Sequence, residues 1–183
     1  MPLPYEPHPD HAALTVAVAQ RLMDRGIEFD GAWLWDDLGY RNGLLYSRKT
    51  YVEQVMPSHR TIVDFFHSRA LPVILHSCGR VIDAVDLIIE AGFDCLQPME
   101  VKAGMDVRDL KRRYGDRLAF MGNIDVRLLS GDPEALEAEI RDKFAVAKEG
   151  GGYMYHSDHS VPHTVSFEEY RGVLEIVRRY AWY

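Results

Sequence analysis

The sequence predicts an α/β protein in which parallel strands alternate with helices. Short apolar runs bounded by Gly or Pro alternate along the chain with longer segments whose apolar residues recur at helical spacing. Polar side chains directly follow these runs, which is typical of parallel strands that end at one edge of a sheet or barrel. Repeats of this kind form right-handed βαβ units, so we expect a parallel sheet or barrel.

The predicted helices are recognised by their apolar periodicity and by the residues that end them. In the first helix, Leu14, Val18 and Leu22 recur at helical spacing, and two later helices stop at Gly92 and Gly115. In chain order, we predict helices at about residues 10–25, 49–69, 80–91, 106–114, 133–148 and 166–180.

The predicted strands are short and apolar. The run 71–75 suits a strand covered on both faces, and Gly79 lets the chain turn away after it. Three glycines at 150–152 mark a tight turn into the last strand. In chain order, we predict five strands at about residues 29–35, 72–77, 93–97, 118–122 and 152–156.

Length and composition exclude several classes of protein. With 183 residues and 47% hydrophobic residues, the chain is predicted to form one domain, 1–183, with a loose arm at 1–11. A net charge of −7 without Lys/Arg runs argues against a nucleic-acid partner. The sequence shows no long apolar stretch and no signal peptide, so we expect no membrane association and a cytoplasmic location. Cys95 lies in an apolar run and is predicted to be a buried hydrophobe.

Two segments carry candidate metal ligands. His76 and Cys78 point at the same spot if the geometry of the second predicted strand persists to residue 78, because side chains at i and i+2 of a strand share a face. A second polar cluster, with His156, Asp158 and His159, follows the last predicted strand. If both strands end at one edge, His76, Cys78 and His159 form a three-ligand site with the open fourth position of a catalytic zinc. The alternative is a hydrogen-bonded core histidine followed by an inert cysteine.

Acidic residues follow two other strands. Asp36 and Asp37 come after the first strand, and Asp125 comes after the fourth. If these strands end at the same edge of the sheet as the metal-ligand candidates, the three carboxylates are candidate catalytic groups or groups that orient the ligands. A metal-ligating imidazole usually donates its second N–H to a carboxylate or carbonyl. Each also has a structural alternative: Asp125 as the cap of the helix near Val126, and Asp36 or Asp37 in support of the loop ahead of Ser47.

Five motifs in this order resemble the carboxyl-terminal part of the uroporphyrinogen decarboxylase superfamily, over nearly the whole chain from about residue 29. They are His76–Gly79, Tyr114–Arg117, Gly122–Asp125, Gly150–Tyr153 and Asp158–Pro162. The resemblance implies a (β/α)8 TIM barrel, of which this chain carries about the last five strands and lacks the early ones. It also implies one of two chemistries: decarboxylation in porphyrin and haem biosynthesis, or zinc-dependent methyl transfer with corrinoid proteins.

The His-x-Cys pair favours the methyltransferase-like branch. There, such a pair and a later cysteine hold zinc; His76 and Cys78 match the pair, and His159 stands where the later cysteine would be. The resemblance then implies one zinc per chain, a corrinoid methyl carrier on a partner protein, and a small thiol as substrate. Asp36, Asp37 and Asp125 would be outer-sphere groups.

Two alternatives stay open. In a metal-free decarboxylase, His159 would place or protonate the substrate, and Asp125 or Asp36 would stabilise a cationic pyrrole intermediate. However, the arginines and aspartate of that branch come from the early barrel and are not found here. In the other alternative, the chain is a partial barrel that is inactive alone. Five strands cannot close the barrel, so a homo-oligomer or a chain that supplies the missing strands would cover the open edges.

Overall fold

A five-stranded parallel sheet organises the chain, which we describe with a computed structural model of residues 9–182, with side chains from residue 11. The strands lie side by side in their order along the chain, and every neighbouring pair is parallel. The five strands are β1 Ala32–Trp35, β4 Val73–Ser77, β5 Cys95–Pro98, β6 Ala119–Met121 and β7 Tyr153–Met154. The predicted fold class, an α/β sheet of partial TIM-barrel type, is confirmed.

Helices connect the strands near the predicted positions. They are α1 Pro9–Met23, α2 Arg48–Thr50, α3 Met56–His67, α4 Val85–Glu90, α5 Val107–Tyr114, α6 Pro133–Ala147 and α7 Phe167–Tyr180. The last helix begins at a capping box in which Ser166 and Glu169 bond each other's backbone N–H. Among the described residues, no helix has the length and apolar character needed to span a membrane.

The elements of secondary structure differ from the predicted ones in four places. A π-helical turn, Tyr51–Val55, joins α2 to α3, and α4 begins with a 3₁₀ turn at Ile82–Ala84. A hairpin of two-residue strands, β2 Gly39–Tyr40 and β3 Gly43–Leu44, was not predicted, because such short strands show no hydrophobic period. Residues 9–11 belong to α1 rather than to the predicted loose arm, and residues 1–8 lie outside the described residues.

The two faces of the sheet differ in burial. In β4, Val73, Leu75 and Ser77 are fully buried on one face, whereas Ile74 and His76 on the other face are only partly covered. The prediction that this strand is covered on both faces was therefore wrong for the described part of the chain. We call the less covered surface the concave face, and His76 lies on it.

The β1 end of the sheet is open. In the described part of the chain, β1 pairs with β4 on one side only. Beside it, α1 packs on α3 yet leaves Leu14 and Val18 62% and 51% exposed. An unpaired strand edge next to an exposed apolar helix stripe is a surface that folded proteins normally cover.

Candidate metal centre

Three potential metal ligands converge at the carboxyl ends of β1 and β4. One ligand atom each from Asp37, His76 and Cys78 lies within 4.8 Å of the other two. His76 Nε2 is 3.4 Å from Cys78 Sγ and 3.7 Å from Asp37 Oδ1. We call these three residues the DHC cluster. The predicted His76 and Cys78 pair is thus brought together, and Asp37 joins it.

Parallel pairing of β1 with β4 builds this cluster. Trp35 stands opposite His76 in the register, so the residues that follow both strands emerge side by side. The backbone N–H of Cys78 donates to Asp37 Oδ1 at 2.8 Å. The backbone N–H of Leu38 donates to the buried Ser77 hydroxyl at 2.8 Å. These bonds fix the loop after β1 against the loop after β4, so the three side chains of the DHC cluster are held close together.

The two loops approach so closely that glycine is required. Gly79 has a φ of +79°, and a Cβ built there would lie 2.5 Å from the carbonyl carbon of Gly39. A side chain at position 79 would therefore push the loop after β4 away from the loop after β1 and open the DHC cluster.

The ring of His76 is held on two sides. The indole of Trp35 stacks on it with a centroid distance of 4.7 Å and an interplanar angle of 22°. Its Nδ1 lies 2.5 Å from the end of the Gln97 side-chain amide, within hydrogen-bonding distance. Its Nε2, on the other side of the ring, faces Cys78 and Asp37.

The electrostatic surroundings of Cys78 favour a cation. Burial, followed by the nearby charges of Asp37 and Glu100, raises the pKa of the Cys78 thiol to about 11. Reactive cysteines have lowered pKa values and electropositive surroundings, so Cys78 does not have the environment of a metal-free nucleophile. A divalent ion reverses this balance, because it draws the proton from a coordinating thiol.

His159 shares a cavity with the DHC cluster but is not part of it. A cavity of about 490 Å³ on the concave face is lined by His76, Cys78, His156 and His159, among others. Among the described residues, the set of ligand atoms within 4.8 Å of one another includes Asp37 and not His159. The exposed ring of His159 faces this shared space from the loop after β7. The prediction that it is the third ligand stays a prediction.

The other predicted acidic residues have protein partners. Asp36 Oδ2 lies 2.9 Å from Nε2 of the buried His59, whose Nδ1 lies 3.1 Å from the Tyr51 hydroxyl. The Asp125 carboxylate caps the 3₁₀ turn Val126–Leu128 and pairs with Arg127, which lowers its pKa despite partial burial. The structural alternative for Asp125, a helix cap, is therefore confirmed.

Two polar residues at strand exits serve the backbone. Asn123 is fully buried, and its amide bonds the backbone of Met99, Met105 and Val107. Asp158 is also fully buried and accepts the backbone N–H groups of two neighbouring loops. Burial raises the pKa of the Asp158 carboxyl. Both side chains join loops at the carboxyl edge of the sheet, and neither lines the cavity of about 490 Å³.

The sequence reasoning assigned no role to Gln97 or Trp35. Both belong to one cross-strand row, because Trp35 stands opposite His76 and His76 stands opposite Gln97. The signal available in the sequence was their position at or near the end of a predicted strand.

Comparison with known proteins identifies the family. Residues 15–180 match the family described as Uroporphyrinogen decarboxylase (URO-D). The chain belongs to this family. The resemblance drawn from the sequence motifs is thereby confirmed, and the URO-D family includes enzymes.

Relatives and solved structures extend this result. The chain is 30% identical over 111 residues to a uroporphyrinogen decarboxylase of Pectobacterium carotovorum, covering 61% of this chain and 30% of the relative. It is 33% identical over 109 residues to the Pseudomonas putida protein of the same name, covering 57% and 28%. A methyltransferase from Methanosarcina mazei shares the fold, with a TM-score of 0.69 at 19% identity over 93% of this chain and 48% of that one.

The matched region is thus less than a third of these curated relatives and about half of the structural neighbour. The five parallel strands correspond to part of a URO-D-type barrel.

The donor atoms of the DHC cluster are of the kinds that bind zinc. Imidazole nitrogen, thiolate sulfur and carboxylate oxygen are the zinc ligands found in proteins, and three protein ligands leave a fourth position open. Glu100 adds negative charge beside the cluster, where its carboxylate accepts the backbone N–H of Gly79 at 3.0 Å. The side chains present are therefore of the types that bind zinc in proteins.

Proposed function

We propose that this URO-D family chain is a zinc-dependent methyltransferase-like protein that moves a methyl group between a corrinoid carrier and a small thiol. The observation that carries the proposal is the DHC cluster, in which nitrogen, sulfur and oxygen donors converge within 4.8 Å at the carboxyl ends of adjacent parallel strands. Barrel enzymes place their chemistry at this end of the sheet.

His76 and Cys78 are the two primary ligands in this proposal. Asp37 is the third ligand favoured by distance, and His159 is the third ligand favoured by the family motif. Asp37 approaches His76 and Cys78 from the loop after β1, whereas His159 lines the cavity beside His76 and Cys78 from the loop after β7.

The residues of this chain have separate tasks in the proposed reaction. Bound zinc would lower the pKa of a thiol and so supply a thiolate near neutral pH. The cavity beside Cys78 would hold the thiol and limit its contact with water. Trp33 and Trp35 form an aromatic wall of this cavity, with ring centroids 6.4 Å apart. Asp36, held by His59, would orient a substrate group in the adjoining cavity of about 610 Å³.

The competing function is metal-free decarboxylation of a carboxylated pyrrole. The names of the curated relatives favour it, since those matched here are uroporphyrinogen decarboxylases. In that reaction His159 would place the substrate from the loop after β7. The DHC cluster would then have no catalytic task, so metal content separates the two functions.

Zinc binding tests the function and the identity of the third ligand together. We expect the purified chain to hold about one zinc, measured by mass spectrometry after dialysis. We expect Asp37→Ala to weaken zinc affinity about 10-fold or more, and His159→Ala to weaken it less, because Asp37 is already within the cluster. Transfer of methyl from methylcobalamin to small thiols is the activity assay.

Two outcomes would contradict this prediction. A larger loss in His159→Ala than in Asp37→Ala would make His159 the third ligand. A folded chain that takes up no zinc, even when zinc is offered, would favour the decarboxylase.

We also propose that the open β1 edge is covered by another polypeptide that supplies barrel strands, or by a second copy of the chain. The unpaired edge and the exposed Leu14 and Val18 support this proposal. Light scattering is expected to give a mass above 21.0 kDa, or activity is expected to rise when an amino-terminal segment of a URO-D family barrel is added. A monomer with full activity alone would reject the proposal.

A further inference from the structure

We propose that the cavity beside Asp36 is a subsite for an ammonium group, and that the thiol substrate of the proposed reaction is an aminothiol. The cavity has a volume of about 610 Å³ and lies between α1, the carboxyl end of β1 and the start of α3. The ammonium subsite is a property of the metal-free chain. Only the sulfur end of the substrate rests on the proposed zinc site.

A buried histidine orients the Asp36 carboxylate. Nε2 of His59 donates to Asp36 Oδ2 at 2.9 Å, because a carboxylate oxygen only accepts. His59 is 3% exposed, and its Nδ1 lies 3.1 Å from the hydroxyl of the buried Tyr51. Among the described residues, no donor bonds the second carboxylate oxygen of Asp36. The protein therefore fixes one oxygen, and the other is available to a hydrogen-bond donor in the cavity.

The lining of this cavity combines one carboxylate with apolar and aromatic side chains. Among the described residues that line it, Asp36 is the only carboxylate, and none is a lysine or arginine. The indole of Trp35 also lines the cavity, and an aromatic face attracts a cation. Four apolar side chains suit the methylene groups of a ligand. They are Leu14, Leu34, Val55 and Ile62. An ammonium group on a short methylene chain matches this combination.

Trp35 connects this cavity with the DHC cluster. It lines both the cavity beside Asp36 and the cavity of about 490 Å³ that Cys78 lines. Asp36 also directly precedes Asp37, a member of the cluster. A small molecule that spans both cavities places an ammonium group at Asp36 and a thiol beside Cys78.

A different cavity beside Cys78 has a lining of mixed charge. Its volume is about 540 Å³, and its basic residues are Arg41, Lys102 and Arg127. Two carboxylates, those of Asp37 and Glu100, line it as well, and Lys102 Nζ lies 3.8 Å from the Glu100 carboxylate. These carboxylates offset most of the cationic charge. Charge therefore favours an ammonium group at Asp36 over an anionic group in the mixed cavity.

The first measurement is the binding of butylammonium to the metal-free chain, followed by NMR of the tryptophan indoles. We expect saturable binding that shifts the Trp35 signal, and no shift with butyrate at the same concentration. Asp36→Asn is expected to weaken butylammonium binding about 10-fold or more, because it removes the charge of the acceptor. The asparagine oxygen still accepts from His59, so the fold is retained, which thermal unfolding checks.

Asp30→Asn is the matched control. It removes the same charge from an exposed residue outside the cavity lining and is expected to leave butylammonium binding unchanged.

The second measurement links the subsite to the DHC cluster in the chain loaded with Co²⁺, a spectroscopic substitute for zinc. Thiol binding is followed by the sulfur-to-metal charge-transfer absorption. Aminoethanethiol is expected to bind about 10-fold more tightly than the uncharged mercaptoethanol, and Asp36→Asn is expected to remove this preference. Mercaptopropionate is expected to bind more weakly than either.

Three results would overturn parts of the inference. Absence of butylammonium binding to the wild type, or equal binding to the wild type and Asp36→Asn, would reject the ammonium subsite. Tighter binding of mercaptopropionate than of aminoethanethiol would reject the aminothiol substrate. A chain that binds butylammonium at Asp36 but takes up neither Co²⁺ nor zinc would keep the ammonium subsite and reject both the aminothiol substrate and the proposed zinc function.

Discussion

Replacing Cys78 with serine is expected to remove most of the bound zinc, from about one ion per chain to below about a tenth. The thiolate is the strongest soft donor of the DHC cluster, and a serine hydroxyl does not ionise to replace it near neutral pH. The remaining His76 and Asp37 donors leave the ion weakly held. Metal analysis of tag-free protein after dialysis measures the effect.

His163→Ala is the control for this substitution. His163 is exposed in the loop after β7 and lies outside both the cluster and the cavity lining. Its replacement is expected to leave zinc content nearly unchanged. Equal zinc content in Cys78→Ser and His163→Ala would remove His76 and Cys78 from the proposed site.

Replacing Asn123 with alanine is expected to destabilise the fold by about 3 kcal/mol or more. Its amide oxygen accepts from Val107 N at 2.9 Å, and its amide nitrogen donates to the carbonyls of Met99 and Met105 at 2.6 and 2.9 Å. All three backbone groups would lose a partner at a fully buried site. Asn123 also has a φ of +68°, which asparagine tolerates better than alanine. Urea unfolding measures the change.

Asn42→Ala is the matched control for Asn123→Ala. Asn42 is exposed in the turn between β2 and β3, and its replacement is expected to change stability by less than about 0.5 kcal/mol. Similar unfolding midpoints for the two variants would show that the hydrogen bonds of Asn123 do not stabilise the fold. Because these bonds join the loops after β5 and β6, we also expect Asn123→Ala to broaden the unfolding transition.

The sequence was a good guide to the candidate site where local geometry sufficed. His76 lies at the end of β4 and Cys78 directly follows the strand, so their spacing of two residues predicts that they lie close together. Asp37 was assigned an outer-sphere role, since its distance to His76 depends on the register of β1 against β4. That register is a property of the assembled sheet.

A polar residue at the end of a strand does not always face the candidate site. Asn123 and Asp158 follow strands as His76 does, but their side chains turn toward backbone groups of neighbouring loops. Composition does not distinguish a polar group that faces a cavity from one that satisfies a buried N–H or C=O. Only the positions of those backbone groups decide between them.

By itself, the sequence determined the alternation of strands and helices, the family and the His76–Cys78 pair. These follow from hydrophobic periodicity, from motifs and from the two-residue repeat of a strand, all of which act over short distances along the chain. Only the tertiary structure decided that Asp37 enters the cluster, that Gln97 and Trp35 hold His76, and that the concave face is partly uncovered. These depend on contacts between strands far apart in sequence, which the packed sheet alone brings into register.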